Sequence, residues 1–363
     1  MEIKHYLKNL IGKRVRRKLV AFYVDDWGSV RSRDKRAVDF LRNNGVDVDK
    51  NRFTLYDTMA SEQDLSALFN VLNSVKDKNG KGVCFTAVTN PCNPNYDAIR
   101  ANNFEKFVSE PFTDTLQKYG YKGAFDLWKQ GITGELFHPI FHGTEHISRK
   151  QFMAGLRSGH RVDRLAFECE CVGVPGSSNG VMRPYYIESA RDNEELRENL
   201  KYGLDEFENI FGFRARQFRA GGDVISPELY PTLKENGIEY MDETLYINRY
   251  LGDGQYKRSF NYTGKVNSLG QKLVVRNCVF EPSVAPDFDS VGKCMAMISA
   301  AFACRKPAII SSHRANFVGG IDEQNREIGL AKLRKLLSEI VKRYPDVEFV
   351  NADQMADIIF KKL

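Results

Sequence analysis

A chain of 363 residues, 42% hydrophobic and 28% charged, has ample core for one large barrel or two medium domains of ordinary soluble composition. No apolar run approaches the roughly 18–20 residues that span a bilayer, the first residues lack the pattern of a secretory signal, and seven cysteines suit reduced thiols in a cytosolic setting. The formal charge of +6 is concentrated at the start, where Lys4, Lys8, Lys13, Arg14, Arg16, Arg17 and Lys18 face the single Glu2; the remainder is formally neutral, which argues against a nucleic-acid enzyme with a broad basic face.

Residues 1–18 also place Ile3, Tyr6, Leu7, Leu10 and Ile11 at helical spacing, so a basic amphipathic helix is expected there. It would either pack across the bottom of the domain with its charges in water, the favoured reading, or contact an anionic membrane or a partner. Leu19 to Val24 reads as a strand ending at Asp25-Asp26, followed by helical patterns over 32–44 and 61–76 and a strand over 83–89. Residues 91–131 read as a partly helical insertion (96–109 and 112–130), after which 134–137 leads to His138. A helix capped by Ser148, a strand over 165–171 and a Gly/Ser-rich loop over 173–180 precede a charged helix over 193–211. Short strands then lead into Arg219 and Asp242, with a helix over 227–236 between them. Turns and short strands through 252–270 end in a strand over 272–280, and helix 290–304, strand 308–311, helix 324–344 and strand 347–350 follow.

This alternation describes one parallel α/β domain over residues 1–363. The polar residues suited to chemistry fall just after predicted strands: Asp25-Asp26, His138 to His146, Arg219, Asp242 and His313. A barrel gathers such positions on one rim, whereas an open sheet gathers them only at a switch point. No glycine-rich nucleotide loop follows the first strand. A (β/α) barrel is therefore expected.

Three of the six histidines, His138, His142 and His146, lie within nine residues. A helical His142-x-x-x-His146 would put two rings on one face, and a carboxylate from another strand would complete a two-His-one-Asp metal site with positions left for water. The competing reading is a solvated helical turn. Asp25-Asp26 alone suits a helix cap as well as a site, and Asp242 alone suits a turn. Cys169 and Cys171 read as core residues.

Asp25-Asp26, the His142/His146 pair, Phe218-Arg219-Ala220-Gly221-Gly222 and Ser311-Ser312-His313 come in an order that resembles the polysaccharide deacetylase family, the NodB-type carbohydrate esterases, over about residues 19–352. The resemblance implies a distorted (β/α) barrel of about seven strands and hydrolysis of the N-acetyl group of an amino sugar with a divalent metal, usually Zn2+. By position, Asp25 resembles the catalytic base, Asp26, His142 and His146 the metal ligands, Arg219 the arginine orienting the base, Asp242 its tether and His313 the general acid. Gly221-Gly222 would let main-chain N–H groups approach the oxyanion. Trp27 and Phe317 near the rim, with His138, are candidates for substrate contact. The chain departs from the family pattern at Trp27 beside the aspartates, at Gly143 where a serine or threonine is usual, and around Arg219, where a proline and an aromatic are missing. Without a secretory signal, the expected setting is cytoplasmic, or peripheral at the inner face of the membrane. The substrate would then be a sugar precursor in surface polysaccharide assembly.

Two other functions compete. A glycosidase would need a second, separate carboxylate such as Glu170 or Asp223, and a carbohydrate-binding protein that keeps the metal needs no Asp25, Arg219 or His313. Gly176-Ser177-Ser178-Asn179-Gly180 also matches a serine nucleophile elbow, though Pro175 and Pro184 fit a loop better.

Overall fold

The computed structural model describes residues 3–360. Nine parallel strands form the main sheet: β1 (Leu19–Trp27), β2 (Phe85–Thr89), β3 (Phe137–Phe141), β4 (Gln217–Arg219), β5 (Tyr240–Asp242), β6 (Lys272–Val274), β7 (Cys278–Val279), β8 (Ala308–His313) and β9 (Glu348–Phe349). Their order across the sheet is β6-β5-β4-β3-β2-β1-β8-β7, with β9 paired to the start of β1. The two outermost strands, β6 and β7, are consecutive in the chain and joined only by Val275, Arg276 and Asn277. Three residues reach about 10–14 Å at most, so the sheet must roll until its edges face one another. The result is a distorted barrel; leaving aside β9, which is off the path, and counting the split β6/β7 strand once gives seven staves around it.

Alternation along β1 explains where the core lies. Leu19, Ala21 and Tyr23 point inward and meet Val88, Ile140, Val274 and Ile309. Val20, Phe22 and Val24 point outward under the helical layer. Helix Glu62–Ser74 in that layer starts at Ser61 with a reciprocal capping box to Asp64. The helix Ala352–Phe360 plugs the bottom of the barrel with Met355 and Ile359.

Several elements differ from the sequence expectation. Among the described residues the N-terminal helix covers Ile3–Leu7, and residues 1 and 2 of the expected span lie outside them. Lys13 and Val15 instead donate their N–H groups to Thr263 and Arg305 carbonyls, each at 2.8 Å, and Gly12, just before them, turns the chain with φ 101°. Tertiary hydrogen bonds thus override a weak, highly charged helical tendency. Of residues 165–171, expected as a strand, 165–168 belong to helix Arg161–Glu168, Cys169 caps it and the last two lie just beyond it, because a three-residue apolar run cannot distinguish helix from strand. The segment 91–131 holds a small antiparallel pair, Cys92–Pro94 with Ser109–Pro111, and three short helices. Its Trp128 enters the main core, so it is part of the barrel's outer layer. Residues Tyr246–Gly252 and Gln255–Phe260 form an antiparallel ribbon beside Val224–Ile225.

Candidate metal centre and active site

At the end of β1 the backbone changes hand. Asp26 has φ 74°, and the pairing of β1 with β2 slips between Val24 and Trp27. Positive φ is uncommon outside glycine, though aspartate tolerates it best. The bulge turns the Asp26 carboxylate toward His142 and His146, whose ring nitrogens lie 3.7 and 3.1 Å from Asp26 Oδ1.

The histidine pair forms without the expected helix. Residues 142–148 are an irregular loop and the helix begins only at Arg149. The loop is fixed from outside: His142 N–H donates to Thr89 O at 2.8 Å, and Asn90 Nδ2 donates to the carbonyls of His142 and Gly143. Gly143 has φ 93°, and a Cβ there would lie 1.9 Å from the Tyr185 hydroxyl. That crowding accounts for the glycine in this position.

The three donor atoms of Asp26, His142 and His146 lie within 4.8 Å of one another in a buried setting. His142 Nδ1 donates to Arg219 O at 2.9 Å, since a carbonyl can only accept, and its Nε2 lone pair is left facing Asp26. Burial holds the His146 pKa below its ordinary value, with Arg31 acting in the same direction against Asp26, so the ring stays neutral. Burial alone would raise the Asp26 pKa, but Arg31 and the two histidines hold it well below the usual range. A carboxylate oxygen and two imidazole nitrogens converge here, a donor set that fits a divalent ion such as Zn2+. Arg31 Nη2 holds the second Asp26 oxygen at 3.2 Å.

Asp25 continues the inward face of β1 and pairs in register with His313 on β8. Arg276 grips it: Nη1 and Nη2 each donate to one carboxylate oxygen at 2.7 Å. Arg219 Nε stands further off, at 3.5 Å from Oδ2. Asp242 joins the two arginines, taking Arg219 Nη1 at 3.3 Å and Arg276 Nε at 2.8 Å. Arg219 Nη2 also donates to Asp223 at 2.6 Å. Burial opposes ionisation of Asp25, yet Arg276 and Arg219 hold its pKa well below the carboxylate range. His313 Nε2 lies 3.9 Å from Asp25 Oδ2, and its Nδ1 meets Glu281 Oε1 at 2.6 Å. Burial favours the neutral ring, but the Glu281 charge and hydrogen bond push His313 up to about 9.

The structure brings together Asp25, Asp26, His142, His146, Arg219, Asp242 and His313. Gly221 lies beside them, where a Cβ would stand 3.4 Å from His146 Nε2. Gly222, with φ 67°, packs instead on the Met182 carbonyl. Trp27 and Phe317 are core residues: Trp27 is edge-on to Phe137 and Trp128, and Phe317 packs on Phe85. His138 sits low in the barrel beside Asp353 of the closing helix, 3.2 Å away, and away from the rim. Ser178 is bonded to Asp163, the residue after Val162 in helix Arg161–Glu168, and has no strand before it, so it forms no nucleophile elbow.

Arg276, Glu281 and Arg31 were not expected. Glu281 follows the 272–280 run and falls under the same strand-end pattern that marks the other site residues. Arg276 was hidden inside that run because its interruption has no sequence signal. Arg31, within a loop, had none either.

No protein-family model matches the chain, and no curated protein matches its sequence. Similar solved structures include a putative polysaccharide deacetylase from Mycobacterium smegmatis, 16% identical, covering 96% of this chain and 91% of that one with a TM-score of 0.43. Another is a probable polysaccharide deacetylase from Pseudomonas aeruginosa PAO1, at 11% identity, 94% and 91% coverage and a TM-score of 0.44. A 4-alpha-glucanotransferase from Thermococcus litoralis is 12% identical with a TM-score of 0.45; the match covers 93% of this chain and 40% of that one, so this chain spans about two fifths of its length.

Proposed function

We propose that this protein is a metal-dependent hydrolase that removes the acetyl group from an N-acetylated amino sugar or sugar precursor. One arrangement carries the reading: Asp26, His142 and His146 converge on one point while Asp25 and His313 face each other 3.9 Å apart beside it. Amide hydrolysis needs an activated water, a stabiliser for the oxyanion and a proton for the departing amine. A divalent ion held by the three donors would polarise the acetamide carbonyl and make its bound water more acidic.

The protein's own residues supply the rest. Asp25, kept ionised by Arg276 and Arg219, accepts the water proton. Because the arginines also weaken it as a base, it suits an acidic water better than a bulk one. His313, whose Nδ1–H donates to Glu281, is held as an imidazolium and delivers its separate Nε2 proton to the amine. Gly221 leaves the main chain free to approach the substrate beside His146. A glycosidase would require a protonated carboxyl at the bond being cleaved. Asp25 and Asp26 are both held ionised, and the poised proton donor is an imidazolium.

The test is acetate release from N-acetylglucosamine, its oligomers and its nucleotide-linked form by zinc-loaded protein. Asp25→Asn is expected to lower the rate by about 100-fold or more. Absence of acetate from every acetylated sugar, with metal bound, would overturn the proposal.

A further inference from the structure

Outside the site, exposed apolar surface is concentrated in two segments. Among the described residues, ten of the fourteen exposed large apolar side chains lie within residues 3–11 and 246–269. Ile3, Leu7, Leu10 and Ile11 are 74%, 59%, 57% and 54% exposed, although His5 and Asn9 between them are buried. The segment is thus anchored by its polar residues and shows its apolar ones to solvent, the reverse of a helix that packs on the domain.

The second segment is the ribbon Tyr246–Gly252 with Gln255–Phe260. Tyr246 pairs with Phe260, Asn248 with Arg258 and Tyr250 with Tyr256, while Ile247, on the other face, is buried. The two segments are joined. Lys13 N–H donates to Thr263 O at 2.8 Å, Ile11 shares one cleft with Leu245 and Tyr262, and the Tyr262, Phe260 and Tyr246 rings follow at 6.1 and 5.3 Å. Lys4, Lys13, Arg14, Arg16, Lys257 and Arg258 are exposed along this strip, and Asp253 is the one acidic residue in 3–16 and 246–262.

We propose that this strip docks the protein on an anionic phospholipid bilayer. A surface combining exposed leucine and isoleucine, tyrosines at its margin and basic side chains with almost no acidic ones matches the interfacial layer of such a membrane. Its charge also complements the negative lipid surface. A soluble protein has little reason to gather its exposed apolar side chains so densely. The proposal does not rest on the hydrolase reading, because none of these residues belongs to the site.

The experiment is co-sedimentation of the full chain with phosphatidylcholine vesicles, with and without about 30% phosphatidylglycerol. At least roughly tenfold tighter binding to the anionic vesicles is expected, lost between about 0.1 and 0.5 M salt. Lys13→Glu with Arg14→Glu, and separately Leu10→Ser with Phe260→Ser, should each weaken binding by roughly fivefold or more. Both variants should keep the circular dichroism spectrum and urea midpoint of the wild type. Equal binding to both vesicle types, or wild-type binding by both variants, overturns the proposal. So does a solution dimer that the same substitutions dissociate, since the strip would then join two copies of the chain.

Discussion

Replacing Arg276 with glutamine tests the charge network at the seam. Arg276 is 5% exposed and makes two 2.7 Å bonds to Asp25 and one of 2.8 Å to Asp242. Removing one partner of a buried ion pair leaves the other's charge without compensation and costs about 3–5 kcal/mol. Arg219 remains 3.5 Å from Asp25 and 3.3 Å from Asp242, which favours the lower end, about 3 kcal/mol, or more than a hundredfold in the folding equilibrium. Urea unfolding followed by circular dichroism would show a lower midpoint at an unchanged slope. The pH dependence carries a sign. Asp25 has a depressed folded pKa, so its contribution is present above the unfolded value of about 3.9 and is lost as pH falls through the folded one. The gap between wild type and Arg276→Gln should thus be full at neutral pH and narrow in acid. Combining Arg276→Gln with Asp25→Asn should cost less than the sum of the two by roughly 2 kcal/mol. Additivity within about 0.5 kcal/mol, or a gap that does not change with pH, would refute the coupling.

The ligand set predicts that His142→Ala and His146→Ala each lose most of the bound zinc, measured by atomic emission on purified protein; unchanged metal content would remove Asp26–His142–His146 as the centre. Glu281→Gln should lower the His313 pKa from about 9 toward about 6.5, as read by the ring's NMR titration. Because the raised folded value keeps the proton until pH passes about 9, the alkaline limb of kcat/KM should move to lower pH in that variant; an unmoved limb would deny His313 the acid role. Trp27→Ala should destabilise the fold by about 3–5 kcal/mol while leaving KM for a soluble substrate unchanged, since the ring packs on Phe137 and Trp128. Chelation should abolish acetate release, and added zinc should restore it.

The sequence made the site legible through one physical regularity: parallel barrel strands deliver the residues that follow them to a single rim. Asp25, Arg219, Asp242 and His313 obey it, and so does Glu281, which the same reading passed over. Arg276 escaped because β6 and β7 look continuous in sequence; only the closure of the barrel splits them and turns the intervening arginine toward Asp25. Helix Arg161–Glu168 escaped because short apolar runs carry no period.

Trp27 is the most instructive miss. By strict alternation along β1, with Leu19, Ala21, Tyr23 and Asp25 facing inward, Trp27 would face the site. The positive φ at Asp26 adds a bulge, and a one-residue slip sends the next side chain to the opposite face. Trp27 then joins Val24 in the outer core, at 1% exposure. The indole that follows the two aspartates in sequence is therefore turned away from Asp26, His142 and His146. The local strain that expels the tryptophan also swings Asp26 toward His142 and His146, so the motif's most conspicuous departure and its ligand geometry have one backbone cause.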